Sequence, residues 1–285
     1  MLDSNKVFFP NLEGLRFFAF FVVFINHATS SLGYYNNSSS YAFSIKHFLQ
    51  NGPLGVSFFF VLSGFLITYL LLKEKELSGK INIKNFYLRR ILRIWPLYFL
   101  IVCMCLFIFP MFENKLPQWF TLDVSIDEIN KWLYLTFTGN FDYIYNGINN
   151  VLIGILWSIS VEEQFYVLWP LIIAFIPTKY LLKTFIVIIL GSIAFRFFYA
   201  QGNAMLIKYH SLSSLSDLAS GAVIAYLACK QSVIDWLEKI PKYSIVIVYL
   251  LLFILIPFRT YVWKFGIYYN HASSLLPVIF SALFA

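Results

Sequence analysis

Seven apolar stretches follow one another along this 285-residue chain, at residues 15–32, 54–72, 94–112, 155–176, 182–200, 215–229 and 243–258. Crossing the hydrocarbon core of a bilayer takes about 20 residues of helix. A segment inside lipid must also pair all of its own backbone N–H and C=O groups. A succession of such stretches therefore predicts one fold class, an all-α polytopic transmembrane helix bundle. An eighth apolar stretch begins near Ser274 and is still apolar at Ala285, so the chain is expected to hold about eight spans and to be cut short on its C-terminal side. With 60% hydrophobic and 12% charged residues, the composition lies outside that of an ordinary soluble domain. The first helix has no small-residue cleavage pattern after it, so it reads as a span and not as a signal peptide.

The net charge is +7, but its distribution carries the topology. Between the second and third stretches, residues 73–93 hold seven Lys/Arg against two Glu. By the positive-inside rule that connection is cytoplasmic, which puts the N-terminus inside as well and predicts a multi-pass protein of the cytoplasmic (inner) membrane. Topology accounts for the basic cluster, so no nucleic-acid partner is expected; the lipid bilayer is. Residues 132–141, "WLYLTFTGNF", are apolar for too short a run to span and read as re-entrant or interfacial. Gly221 and Ala225 have the small-xxx-small spacing that lets membrane helices approach closely. Cys103 and Cys105 point about 200° apart on a helix and Cys229 stands alone. The cysteines therefore read as packing residues, and no metal centre is expected.

Four stretches hold polar groups where a span has little tolerance for them. In "LRFFAFFVVFINHA", Arg16 and His27 are 11 residues apart, hence on one helix face and roughly 16 Å apart along the axis. Arg16 reads either as a snorkelling anchor or as a ligand-reading group. An imidazole at the depth of His27 needs a hydrogen-bonding neighbour or a wet cavity. His47, His210 and His271 read as ordinary loop residues. In "KNFYLRRILRIWPLY", Arg90 and Arg93 share a helix face and could clamp phosphate or touch anionic lipid, while Pro96 would open or kink the third span. In "LWSISVEEQFYVLWP", Ser160 and Glu163 fit a capping box at a helix start, and Glu163 could equally serve as an acid, a base or an orienting partner. In "PLGVSFFFVLSGFLITYLLLK", Gly55 and Gly64 suit tight helix contacts, and Ser57 and Ser63 have no acid or base nearby in sequence.

Taken in order, these pieces resemble the membrane-bound acyltransferase-3 family, which O-acylates sugars and other envelope or secreted molecules. "LEGLRFFAFFVVFINHA" resembles its opening Arg-x10-His helix, "GVSFFFVLSGFLIT" its second helix, and "RRILRIWPLY" its Arg-x-x-Arg motif. "WSISVEEQFYVLWP" and "LSDLASGAVIAYL" resemble later segments. The resemblance implies a single integral-membrane acyltransferase domain over residues 1–285, about ten spans in the complete protein, and both ends cytoplasmic. It implies an acyl-CoA donor, usually acetyl-CoA, with no bound cofactor, and a hydroxyl acceptor on a carbohydrate or envelope glycan. Family members also continue into a Ser-Tyr-x-x-Tyr-Leu-x-His segment that these 285 residues do not contain. On this reading Arg16, Arg90 and Arg93 bind the donor and His27 and Glu163 are catalytic, with His27 as general base or transient acyl carrier. The alternatives are a proton-coupled exporter of a small anionic or glycosylated molecule, with His27 and Glu163 as relay, or a membrane scaffold. No inverted repeat favours the exporter.

Overall fold

The computed structural model describes residues 10–31, 52–112, 129–147, 151–199 and 203–241, together with Tyr243, Ser244, Val246, Ile247 and Leu250. The described residues are helical or lie in the connections between helices, with no strand among them. Four helices are long and apolar enough to cross a membrane, Gly52–Ser78, Ile83–Met111, Thr178–Tyr199 and Ala204–Ala228, and a shorter apolar helix covers Gly14–Ala28. The protein is thus an all-α, multi-pass membrane helix bundle. The stretch at 243–258, the one beginning near Ser274, His47 and His271 lie outside the described residues.

The first helix, α1, covers Pro10–Ser31, and α2 covers Gly52–Ser78. Gly79 ends α2 in the left-handed conformation (φ 70°), as glycine does most cheaply. Asn82 then caps α3 by accepting from Asn85 N–H at 3.0 Å. The helix α3 begins at Ile83 and continues through a π turn at Met104–Ile108 to Met111. The third span thus starts well before the expected residue 94. Arg89, Arg90 and Arg93 belong to its first half and Pro96 lies inside it, so of the two expected places for Pro96, the start of the span or its interior, the structure has the second.

Residues 132–141 fold as two short helices, α4 (Lys131–Leu135) and α5 (Gly139–Asn146), joined by a reversal at Thr136–Thr138. Neither can span, since five and eight residues rise only about 7 and 12 Å. They form a wedge held from inside the bundle. Tyr98 of α3 donates its hydroxyl to Tyr134 O at 2.7 Å, and its ring lies 4.3 Å from that of Phe137. After α6 (Val151–Gly154) comes α7, Leu156–Phe175. Ser160 is inside α7 and returns its hydroxyl to Leu156 O at 3.0 Å, so the expected Ser160–Glu163 capping box does not form. The helix starts a turn earlier than that motif requires.

The remaining helices are α8 (Thr178–Ala194, extended by a π turn at Phe195–Tyr199), α9 (Ala204–Tyr209), α10 (Ser211–Ala228) and α11 (Gln231–Glu238). His210 separates α9 from α10. It is not a plain surface residue: its Nδ1 accepts from Leu212 N–H at 3.1 Å, and its ring packs on Phe141 and Phe195.

The helix α2 is the central post, contacted by α1, α7 and α10. The small residues explain how closely they approach. A Cβ at Gly64 would collide with Leu218 O and one at Gly221 with Val61 O, so α2 and α10 meet backbone to backbone. A Cβ at Gly55 would lie 2.9 Å from Ala19 O on α1. Trp169 fills the space between α2, α7 and α8, donating Nε1–H to Thr68 Oγ1 at 2.7 Å and stacking on Phe165 and Phe185. Apolar side chains left outside, including Phe17, Phe20 and Phe24 on α1 and Leu92, Leu97 and Leu100 on α3, suit a lipid-facing surface.

Candidate functional site

The contacts on α2 fix the levels of the polar groups. Gly52 abuts Asn26 and Gly55 abuts Ala19 and Val23, so α1 runs antiparallel to α2, with His27 level with its first turn. Phe60 meets Trp157, Ser63 meets Glu162, Thr68 meets Trp169 and Lys75 meets Ile173, so α7 runs parallel to α2. At 1.5 Å per residue, the 11 residues from Gly52 to Ser63 put His27 and the Glu162–Glu163 pair roughly 17 Å apart along the bundle. The polar groups thus gather at two levels.

The inner cluster lies toward the basic turn between α2 and α3. Glu162 uses both carboxylate oxygens: Oε1 accepts from Ser63 Oγ at 3.2 Å and Oε2 from the Tyr166 hydroxyl at 2.6 Å. Glu163 points to α3, where Oε2 accepts from Trp95 Nε1–H at 3.1 Å. Its other oxygen, Oε1, is buried without a hydrogen-bond partner. The Arg90 guanidinium lies over two rings, 5.6 Å from the centre of Tyr166 and 5.7 Å from that of Phe86, and within electrostatic reach of both glutamates. Arg90 is half-buried and Arg93, one turn on, is exposed. Lys75 closes this end by donating to three carbonyls at the C-terminus of α7, Ile173 (2.6 Å), Ala174 (3.2 Å) and Ile176 (3.0 Å).

The outer cluster surrounds His27. The imidazole is exposed, and Lys208 of α9 is its charged neighbour. The Lys208 ammonium lies 4.9 Å over the Tyr209 ring, which packs against Tyr143 and Trp157 at 4.9 Å each. Gln164, next to Glu163 on α7, links the two levels: its Nε2 donates to Phe137 O at 2.8 Å and to Asn140 Oδ1 at 2.9 Å. Asn140 Nδ2 donates to Tyr209 O at 3.1 Å, tying the wedge to α7 and α9. Within the wedge, Asp142 Oδ1 accepts from Asn146 Nδ2 at 2.6 Å, and burial pushes the Asp142 carboxyl above its ordinary range. Burial likewise holds the Tyr134 and Tyr143 phenols well above theirs.

Of the residues expected from sequence, Arg90 and Glu163 come together, with Arg93 beside Arg90. Arg16 lies half-buried on α1, three turns from His27. Glu163 has its partners on α3 and stands at a different level from His27, so the two do not form the expected orienting pair. Sequence reading missed three things. Ser63 has an acid after all, Glu162, 99 residues away. Glu162 is anchored more fully than Glu163. A buried ion pair also joins the π turn after α8 to α10: Arg196 donates Nε–H to Ser213 O at 3.1 Å, also reaches Ser216 Oγ, and lies 4.0 Å from Asp217 Oδ1. A lone arginine in the apolar run "IAFRFFYA" and a lone aspartate in "SLSDLASG" were the available signals.

The acyltransferase domain model of the acyltransferase-3 type matches residues 9–285. The chain belongs to this family. It is similar to the O-acetyltransferase OatA of Staphylococcus aureus strain NCTC 8325 / PS 47, 28% identical over 228 residues, covering 77% of this chain and 35% of the relative. It is also similar to the putative O-acetyltransferase SACOL0978 of Staphylococcus aureus strain COL, 26% identical over 279 residues, covering 92% of this chain and 43% of the relative. The chain therefore spans about a third to two fifths of the length of these relatives. No solved structure matches it. Among the described residues, this family member has a cationic, aromatic-lined cluster around Arg90 at one level and the His27 imidazole at another.

Proposed function

We propose that this chain is the membrane domain of an O-acetyltransferase that takes an acyl group from acyl-CoA at its basic, cytoplasmic end and passes it to a hydroxyl of a carbohydrate or envelope glycan. The separation of the arginine cluster from His27 is the observation that carries the reading. Arg90 and Arg93, with Arg16, bind the donor's phosphates, for which planar forks of N–H donors are well shaped. The narrow pantetheine arm then extends along the bundle and brings the thioester to His27. His27 takes the proton of the acceptor hydroxyl, and the oxygen attacks the thioester carbonyl. The C–S bond breaks, and the thiolate takes the proton back from the imidazolium. The aromatic surface of Tyr209, Trp157 and Tyr143 beside His27 suits the apolar face of a sugar ring. The seven Lys/Arg between residues 73 and 93 support a cytoplasmic basic end, a cytoplasmic N-terminus and residence in the inner membrane.

The test uses membranes that contain the whole natural protein. Acetyl-CoA labelled in the acetyl group is added, and label is followed into envelope polysaccharide for wild type and His27→Ala at equal membrane levels. Label with wild type and none with His27→Ala is expected. Equal labelling by the variant refutes the role given to His27, and no label with either protein refutes the acetyl-CoA donor.

A further inference from the structure

The inner cluster treats its two adjacent carboxylates unequally. Glu162 has a hydroxyl donor on each oxygen, whereas Glu163, only 7% exposed, has Trp95 on one oxygen and nothing on the other. A buried carboxylate oxygen without a donor is costly, so folded chains rarely leave one without a reason. Arg90 poses the same question from the opposite sign. Its guanidinium lies over the ring faces of Phe86 and Tyr166 and within electrostatic reach of both glutamates, yet among the described residues no acceptor takes a hydrogen bond from it. This fold does satisfy arginines that serve structure: Arg196, 4% exposed, bonds Ser213 O and Ser216 Oγ and pairs with Asp217. Arg90 and Glu163 are thus a donor and an acceptor left open side by side on facing helices, as a site is before its ligand arrives.

The chemistry of the two groups limits that ligand. A guanidinium only donates and an ionised carboxylate only accepts, so the ligand must present an anionic or carbonyl acceptor with a hydrogen-bond donor close by. Coenzyme A has this pattern at the ribose, where the 2′-hydroxyl adjoins the 3′-phosphate, and again where the arm begins. A few bonds beyond its diphosphate, the pantoyl unit carries a secondary hydroxyl, the first hydrogen-bond donor along the arm. The levels agree. Trp95 and Glu163 lie about a turn further from the basic end of α3 than Arg90, in the direction the arm must take. The indole of Trp95, packed on Phe99 and Phe137, offers an apolar wall for the neighbouring gem-dimethyl group.

Resting on the acyl-CoA reading above, we propose that Glu163 is a donor-binding residue whose open oxygen accepts the pantoyl hydroxyl of coenzyme A while Arg90 holds the adjacent phosphate. Glu163 reads the arm of the donor and does not take part in the proton transfer at His27. The experiment compares acetyl-CoA with an analogue in which hydrogen replaces the pantoyl hydroxyl, using the whole protein in membranes. Wild type is expected to use acetyl-CoA at least about tenfold better in kcat/KM, chiefly through KM. Glu163→Ala is expected to bring that ratio close to one, and Glu163→Gln, which keeps an accepting oxygen, to retain part of it. Equal use of both donors by wild type overturns the proposal without any variant, so a poorly folding variant cannot protect it. A full preference kept by Glu163→Ala also overturns it. If wild type uses neither donor, the acyl-CoA reading itself falls, and that result is distinct from indifference to the hydroxyl.

Discussion

Replacing glycine by alanine at Gly221 and at Gly191 is expected to have opposite effects. Both lie in helices, where alanine is favoured over glycine by about 1 kcal/mol. At Gly191 a Cβ meets nothing within 4 Å, so that preference is expressed and the variant gains about 1 kcal/mol. At Gly221 the new methyl would collide with Val61 O and lie 2.6 Å from Phe65 N, where ordinary contact begins at 3.4 Å. The helices α2 and α10 would have to part by at least 0.8 Å, the difference between those two distances, and by more to clear Val61 O. Backbone atoms cannot rotate away as a side chain would. The separation also loosens Leu218, Ala219, Ala222 and Ala225, all fully buried in that interface. Overpacking of this kind costs about 1 to 3 kcal/mol, and the upper part of that range applies, leaving a net loss of about 1 to 2 kcal/mol after the helix preference is counted. The two variants should therefore differ by about 2 to 3 kcal/mol, or about 4 to 12 °C in Tm at about 2 to 4 °C per kcal/mol. Thermal unfolding of the detergent-solubilised protein, followed by tryptophan fluorescence, measures the difference. Equal Tm values, or a Gly221→Ala protein more stable than Gly191→Ala, would refute backbone contact between α2 and α10.

Other expectations follow from the same contacts. Arg196→Met leaves Asp217 buried without its cation and should lower stability by about 3 to 5 kcal/mol, while Arg196→Met with Asp217→Leu should recover most of the loss in the same melt. Asp142→Asn tests the wedge. Because burial raises the folded-state pKa of Asp142, its contribution favours the fold below the unfolded value near 4 and is lost as pH rises through the folded value. The Tm of the variant, measured from pH 4 to 7, should therefore fall less with rising pH than that of wild type. Ser63→Ala removes one of two donors to Glu162 and should lower stability by about 1 kcal/mol. Its effect on transfer should be small beside that of His27→Ala in the labelled-acetyl assay.

What could be read from the sequence depended on distance along the chain. The spacing of Gly221 and Ala225 announced a close helix contact because both sit on one helix face. The apolar runs announced the membrane class because a span is a contiguous object. By contrast, Ser63 has no acid near it in sequence, and its acid arrives on another helix. Ser160 and Glu163 matched a capping motif, yet residues before them were already helical, so the motif had no free amides to satisfy. Arg196 and Asp217 are each isolated in an apolar run, and only the fold brings them together. Glu163 and His27 shared a plausible chemistry, but the helix levels separate them, and levels depend on which glycine meets which backbone.

The wedge between α3 and α7 has a consequence for how such a protein can change its substrate. Its principal attachments end on main-chain carbonyls: those of Tyr134 and Phe137 within it and that of Tyr209 on α9. A carbonyl is present whatever side chain stands at that position. The rings and cations around His27 can therefore be exchanged while the anchors persist. The central post is less tolerant, since Gly55 and Gly64 meet the backbones of α1 and α10. Side chains around His27 can thus vary one at a time while the helix packing beneath them stays in place.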